Sequence, residues 1–143
     1  MSRLTGSVGL LLLLLLVTLS VSSAEDEVTL RSKAQTIAAA RGSSVSLSCL
    51  AVYNYQLCRL LHVTWRAEGG AEVGAAAGVE LTDPKKYLTT VSETLSDGDV
   101  RHRQVETEIL DLTEEDSGRY QCVARCGGAE SAVGRFSEII VKD

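Results

Sequence analysis

Alternation of apolar and polar residues with a period of two dominates the chain from residue 28 onward. Val45, Leu47, Cys49 and Ala51 share one side while Ser46 and Ser48 take the other, which predicts a strand with one buried face. Leu61, Val63 and Trp65 repeat the pattern against His62, Thr64 and Arg66. After a polar corner at Asp116-Ser117-Gly118, Tyr120, Cys122, Ala124 and Cys126 fall on one face, and the last strand is expected over 134–142 with Ser137, Ile139 and Val141 inward. Weaker runs fill in the rest. Val28 to Lys33 and Thr36 to Ala39 predict a first strand broken in the middle, Val79 to Leu81 a short strand, and Lys86 to Val91 another. Ser96-Asp97-Gly98-Asp99 reads as a hairpin turn, and the returning strand carries Val105, Thr107 and Ile109, with Leu112 in the corner beyond. Residues 52–60, including Tyr53 and Tyr55, have no sustained period and are expected as a long loop; Gly127-Gly128 marks a hairpin tip. The Gly- and Ala-rich stretch 68–78 has low strand propensity and carries no readable register.

The first segment lies outside this pattern. Arg3 precedes an unbroken apolar run from Leu10 to Val17, short for a bilayer span, and Ser22-Ser23-Ala24 follows with small residues suited to cleavage. Residues 1–24 are therefore expected to be a secretory signal peptide and 25–27 an acidic leader, leaving one domain over 28–142. Of the 14 Lys and Arg, Arg3 leaves with the signal, so the remainder faces 19 Asp and Glu with a formal charge of about −6. Such a surface is unsuited to nucleic acid. No second apolar run of membrane length appears. Asn54 lacks the Ser or Thr two places on that N-linked sugar requires.

An even set of four cysteines in a secreted chain points to disulfides rather than free thiols or zinc, although three pairings are open to them. Catalytic chemistry finds little footing. His62 and His102 are the only histidines, they fall on different strands, and no Ser-His-Asp spacing accompanies them. Glu114-Glu115-Asp116 lacks EF-hand spacing and reads as a solvated corner. The sequence calls for no cofactor and no metal.

Taken together, Cys49, Trp65 and the run Asp116-x-Gly118-x-Tyr120-x-Cys122 stand in an order that resembles the immunoglobulin superfamily, in its variable type. The resemblance covers nearly all of the chain after residue 27. It implies an all-β, antiparallel, two-sheet Greek-key sandwich, with Cys49 bridged to Cys122 between the sheets, Trp65 packed on that bridge and Tyr120 forming the corner. The 73 positions between these cysteines suit the variable type, which inserts extra strands between them. In the resembled fold Cys58 and Cys126 lie in two loops at one end, which implies a second bridge. Lys86 occupies the position whose basic residue pairs with the corner aspartate, here Asp116. Two departures stand out. Thr107 replaces the first apolar residue of the strand-and-corner pattern continued by Ile109 and Leu112, and Val133-Gly134-Arg135-Phe136 replaces the Phe-Gly-x-Gly of antibody joining segments. The second argues against an antibody chain.

The function this implies is non-catalytic extracellular recognition of a protein ligand or receptor, itself immunoglobulin-like, in immune or cell-adhesion biology. Two alternatives stand beside it: the ectodomain of a single-pass receptor, favoured by a chain that stops at Val141-Lys142-Asp143 directly after its last strand, and a self-associating adhesive domain forming homodimers. Localisation is expected to be secreted, or the cell surface for a receptor fragment. The strand pattern places His62, Thr64, Arg66, Gln121, Val123, Arg125, Phe136 and Ile140 on one outward face. Exposed aromatic and arginine side chains of this kind are interface anchors.

Overall fold

The structure, a computed structural model, describes residues 27–68 and 78–143. The expected signal peptide, residues 25 and 26 of the leader and almost all of the Gly- and Ala-rich stretch fall outside the described residues. Within them, strands β1 (Val28–Arg31), β2 (Gln35–Ala40), β3 (Val45–Asn54), β4 (Leu61–Ala67), β5 (Val79–Glu80), β6 (Tyr87–Leu95), β7 (Val100–Ile109), β8 (Gly118–Cys126) and β9 (Ala129–Lys142) form two sheets. One has the order β1-β3-β7-β6 and the other β2-β9-β8-β4-β5. The alternation read in the sequence becomes the core: Leu47, Cys49 and Ala51 from β3, Val105 and Ile109 from β7, Trp65 from β4, Cys122 and Ala124 from β8, and Ile139 from β9 are all buried between the sheets. This is the two-layer solution for sheets that are apolar on one side.

Several expectations are corrected. One pair is not antiparallel, since β2 runs alongside β9 in parallel register from Gln35↔Ser137 to Ala40↔Lys142. The first strand breaks at Ser32 to Ala34 and its second half crosses to the other sheet. β3 continues to Asn54, so Tyr53 is a buried strand residue rather than part of a loop. β6 extends to Leu95, and its partner β7 starts at Val100.

The last strand begins five residues earlier than expected. Its register against β8 slips between Gln121 and Val123 and again between Ala124 and Arg125. Each slip is a bulge that shifts the phase of alternation, which is why a period-two reading stops at residue 134. Gly134 sits in the first bulge, where a Cβ would run into the Ser32 hydroxyl. That hydroxyl accepts a hydrogen bond from the Arg135 N–H at 3.0 Å, so it cannot turn aside without losing the bond.

Thr107, the departure from the family pattern, is buried and satisfied: its hydroxyl lies 2.9 Å from that of Thr89 on β6. Ser137, likewise buried, donates to the Lys33 carbonyl at 3.0 Å.

Gly134→Val is expected to destabilise the domain by about 1–3 kcal/mol through overpacking at the bulge, with Gly134→Ala intermediate. Urea unfolding followed by tryptophan fluorescence measures this through Trp65. A neutral valine variant would show that the β1–β2 crossover yields freely.

Candidate protein-interaction face

The cysteines pair as Cys49 with Cys122 and Cys58 with Cys126, with Cα–Cα distances of 6.4 and 5.3 Å, and none is left free. Trp65 is registered directly beside Cys122. At the opposite end from the second bridge, Lys86 Nζ lies 2.7 Å from Asp116 Oδ2 and donates to the Asp111 carbonyl at 3.0 Å. The same carboxylate oxygen accepts from the Thr113 N–H at 2.8 Å. The Tyr120 hydroxyl donates to the Asp116 carbonyl at 2.5 Å. Burial, with the nearby Asp116 carboxylate and Tyr87 adding to it, raises the pKa of Tyr120 well above the ordinary phenol range. Tyr87 is raised in the same direction, mainly by burial. These groups form a structural corner.

The second bridge ties the 55–60 loop to the end of β8. Cys58 is buried in the core cluster, and the Cys58 N–H is held by the Asn54 carbonyl at 2.9 Å. Sequence reasoning missed a polar tie at this end. Arg103 on β7 donates to the Leu61 carbonyl of the opposite sheet at 2.6 Å, and its guanidinium also reaches Glu93 Oε2 at 3.3 Å. The buried Tyr53 hydroxyl donates to the other Glu93 oxygen. The inward phase of Arg103, two residues before Val105, was the available signal.

The outer face of the five-stranded sheet holds the predicted interface residues. Arg66 spans three strands, with Nε 2.8 Å from Glu68 Oε1, Nη2 3.1 Å from Gln121 Oε1 and Nη1 3.4 Å from Glu130 Oε2. Arg125 is salt-bridged to Glu80, whose second oxygen lies 3.8 Å from His62 Nε2. Phe136 lies beneath the Arg119 guanidinium, 3.7 Å from the ring centroid. His62 and Ile140 are exposed, and Thr64, Arg66, Arg125 and Phe136 are half-buried.

Gln121 and Val123 are not surface residues. Gln121 is buried and spends its amide on the Gly134 carbonyl at 2.9 Å, while Val123 is fully buried between the neighbouring strands at Thr64 and Val133. The bulge at Gly134 also puts Val133, 47% exposed, on this face, a residue the simple alternation left out. Among the described residues no group of three or more His, Cys, Asp or Glu could hold a metal ion, and no helix is long and apolar enough to cross a membrane.

The model of the immunoglobulin domain family matches residues 35–131, more than half of the chain. This chain belongs to the immunoglobulin superfamily. No curated protein sequence matches it, whereas 1124 chains of solved structures do, so the immunoglobulin fold alone selects no partner. One similar structure is a chimeric titin Z1Z2 functionalized with a KLER exogenous peptide from decorin, at 23% identity and a TM-score of 0.48, covering 80% of this chain and 93% of that one. Another is Dpr2 Ig1-Ig2 in complex with DIP-Theta Ig1-Ig3, at 13% identity and a TM-score of 0.54, covering 80% of this chain and 32% of that one.

Two outcomes follow from the immunoglobulin corner and its second bridge. Both tyrosines hold raised folded-state values, so the folded state keeps its protons where the unfolded chain loses them. Their stabilisation is complete below the unfolded value near pH 10 and falls as pH rises through the folded values. Denaturation midpoints across alkaline pH should fall above about pH 10, with a shallower slope in Tyr120→Phe. Replacing Cys58 and Cys126 together by alanine should cost about 2–4 kcal/mol yet leave the sandwich folded, as read by circular dichroism and denaturant titration. Loss of the fold would make the second bridge essential core structure.

Proposed function

We propose that this domain is a secreted or cell-surface recognition module of the variable type, which binds another immunoglobulin-like protein through the outer face of β9, β8 and β4 without catalysis. The observation that carries the reading is the composition of that face. Phe136 capped by Arg119, with Val133 and Ile140 exposed nearby, supplies apolar anchors around the charged centre formed by Arg66, Arg125 and their carboxylates. Interfaces favour this mixture: aromatic and arginine anchors carry the affinity, and paired charges set register and suppress wrong partners.

The signal-like residues 1–24 and two disulfides with no free thiol support an oxidising, extracellular setting. The 73-residue spacing of the central bridge supports the variable type. By analogy, the complex of Dpr2 with DIP-Theta is one in which proteins with immunoglobulin domains bind each other. An immune or adhesive role rests on family membership.

An arrayed screen of extracellular domains against the secreted protein would identify the partner, and surface plasmon resonance would then measure variants. Phe136→Ala and Arg125→Glu are each expected to weaken binding by about 1–3 kcal/mol while circular dichroism stays unchanged. Wild-type affinity in both variants would move the site to the stapled end, where Tyr55, Leu57 and Gly127 are presented.

A further inference from the structure

Among the described residues, the long edge of the four-stranded sheet carries no lysine, no proline and no bulge, and its single inward-turned charge is paired within the domain. β6 ends the order β1-β3-β7-β6, and among the described residues no strand pairs with its outer side. It is nine residues long, and each residue after Tyr87 is exposed, including Leu88 at 52%, Val91 at 55% and Leu95 at 78%. Edge strands are normally kept from pairing by brevity, lysine, proline or a bulge. β1 and β5 are short, with four and two residues, and β2 is flanked by Lys33 and Arg41. β6 has no lysine, arginine or proline, and its register against β7 is unbroken from Tyr87↔Ile109 to Leu95↔Arg101. Its one charge, Glu93, is held by Tyr53 and Arg103.

The hydrogen-bond phase shows which backbone groups are free. The Leu110 N–H donates to the Lys86 carbonyl at 2.9 Å and the Ser96 N–H to the Val100 carbonyl at 3.0 Å, and both bonds belong to the same register. In an antiparallel ladder the bonded pairs recur every second residue. Leu88, Thr90, Ser92 and Thr94 therefore bond to β7, while Thr89, Val91 and Glu93 aim their N–H and C=O groups at the open side.

We propose that β6 pairs in antiparallel fashion with β6 of a second copy of this chain, about a two-fold axis at Val91, to make one continuous eight-stranded sheet. In that register Val91 faces Val91, Thr89 faces Glu93 of the other copy, and Leu88 faces Thr94. Every free backbone group of the central stretch meets a complementary one. The two Glu93 carboxylates stand roughly 13 Å apart, at about 3.3 Å per residue, so no like charges oppose each other. A second copy is the occupant because this edge is self-complementary about its centre, and an isologous contact closes at a dimer. The β9, β8 and β4 face stays free, so the pairing is independent of the recognition proposed above, and Arg125→Glu leaves it intact.

The test is sedimentation equilibrium of the full chain secreted into culture medium, up to about 100 µM, a range that reaches weak interfaces of small area. The mass should rise to twice the monomer and stop there. Val91→Pro removes an N–H that the β6–β7 ladder does not use, so it should weaken self-association at least about tenfold with unchanged circular dichroism, whereas Ser92→Pro should destabilise the fold. Val91→Cys should give a covalent dimer across the axis under mild oxidation, and Leu95→Cys should not. A wild-type monomer at every concentration, species larger than a dimer, full self-association in folded Val91→Pro, or failure of Val91→Cys to cross-link would each overturn the proposal.

Discussion

The bridge between Cys49 on β3 and Cys122 on β8 joins the two sheets through the middle of the core, and the side chains around it take their positions from that link. Trp65, beside Cys122, leaves its indole N–H buried with no partner. An unsatisfied donor costs about 1–3 kcal/mol. Burying 150–250 Å² of indole at about 25 cal/mol per Å² returns roughly 4–6 kcal/mol, so the packing outweighs the orphan. In the chain-entropy account, closing so long a loop adds about 4 kcal/mol, which makes the bridge and the tryptophan together the central stabilising element of the sandwich.

Polar groups inside this frame are matched locally. Thr107 meets Thr89, Ser137 meets the Lys33 carbonyl, and Tyr120 meets the Asp116 carbonyl. The first two join segments remote in sequence and so restrict which registers the sheets can adopt, while the third closes the corner within one turn of chain. A strand that slipped by one residue would expose its apolar set and strand these hydroxyls in the core. Arg103 acts similarly between the sheets, with Leu61, Glu93 and Tyr53 around its guanidinium, although its Nε finds no partner.

Surface chemistry follows from how the strands are interrupted. The bulges in β9 turn Val133 outward alongside Phe136 and place the Gly134 carbonyl where Gln121 can cap it. The charged centre of the same face is already paired within the domain, so a partner would meet a set of fixed charges rather than free ones, which favours specificity over raw affinity. On the other sheet the unbroken register of β6 has the opposite effect, because an uninterrupted strand leaves a straight and matched edge.

The two-sheet sandwich was legible in the sequence because its evidence is local: the period of two in β3, β4 and β8, the turn residues at Asp116 to Gly118, and cysteines and a tryptophan at family spacing. Those features also led to Trp65, the corner and both cysteine pairs. What the sequence left open depends on partners distant along the chain. The parallel course of β2, the bulges of β9 and the burial of Gln121 and Val123 are set by which strand lies alongside, and a bulge breaks the very alternation from which facing is read. Arg103, polar by sequence yet turned inward, reads as an error of pattern until Glu93, Tyr53 and the Leu61 carbonyl are brought around it. Residue type and spacing determined the layers, and the family resemblance they carry implied the covalent link; only packing between strands remote in sequence decided which side chains reach the surface.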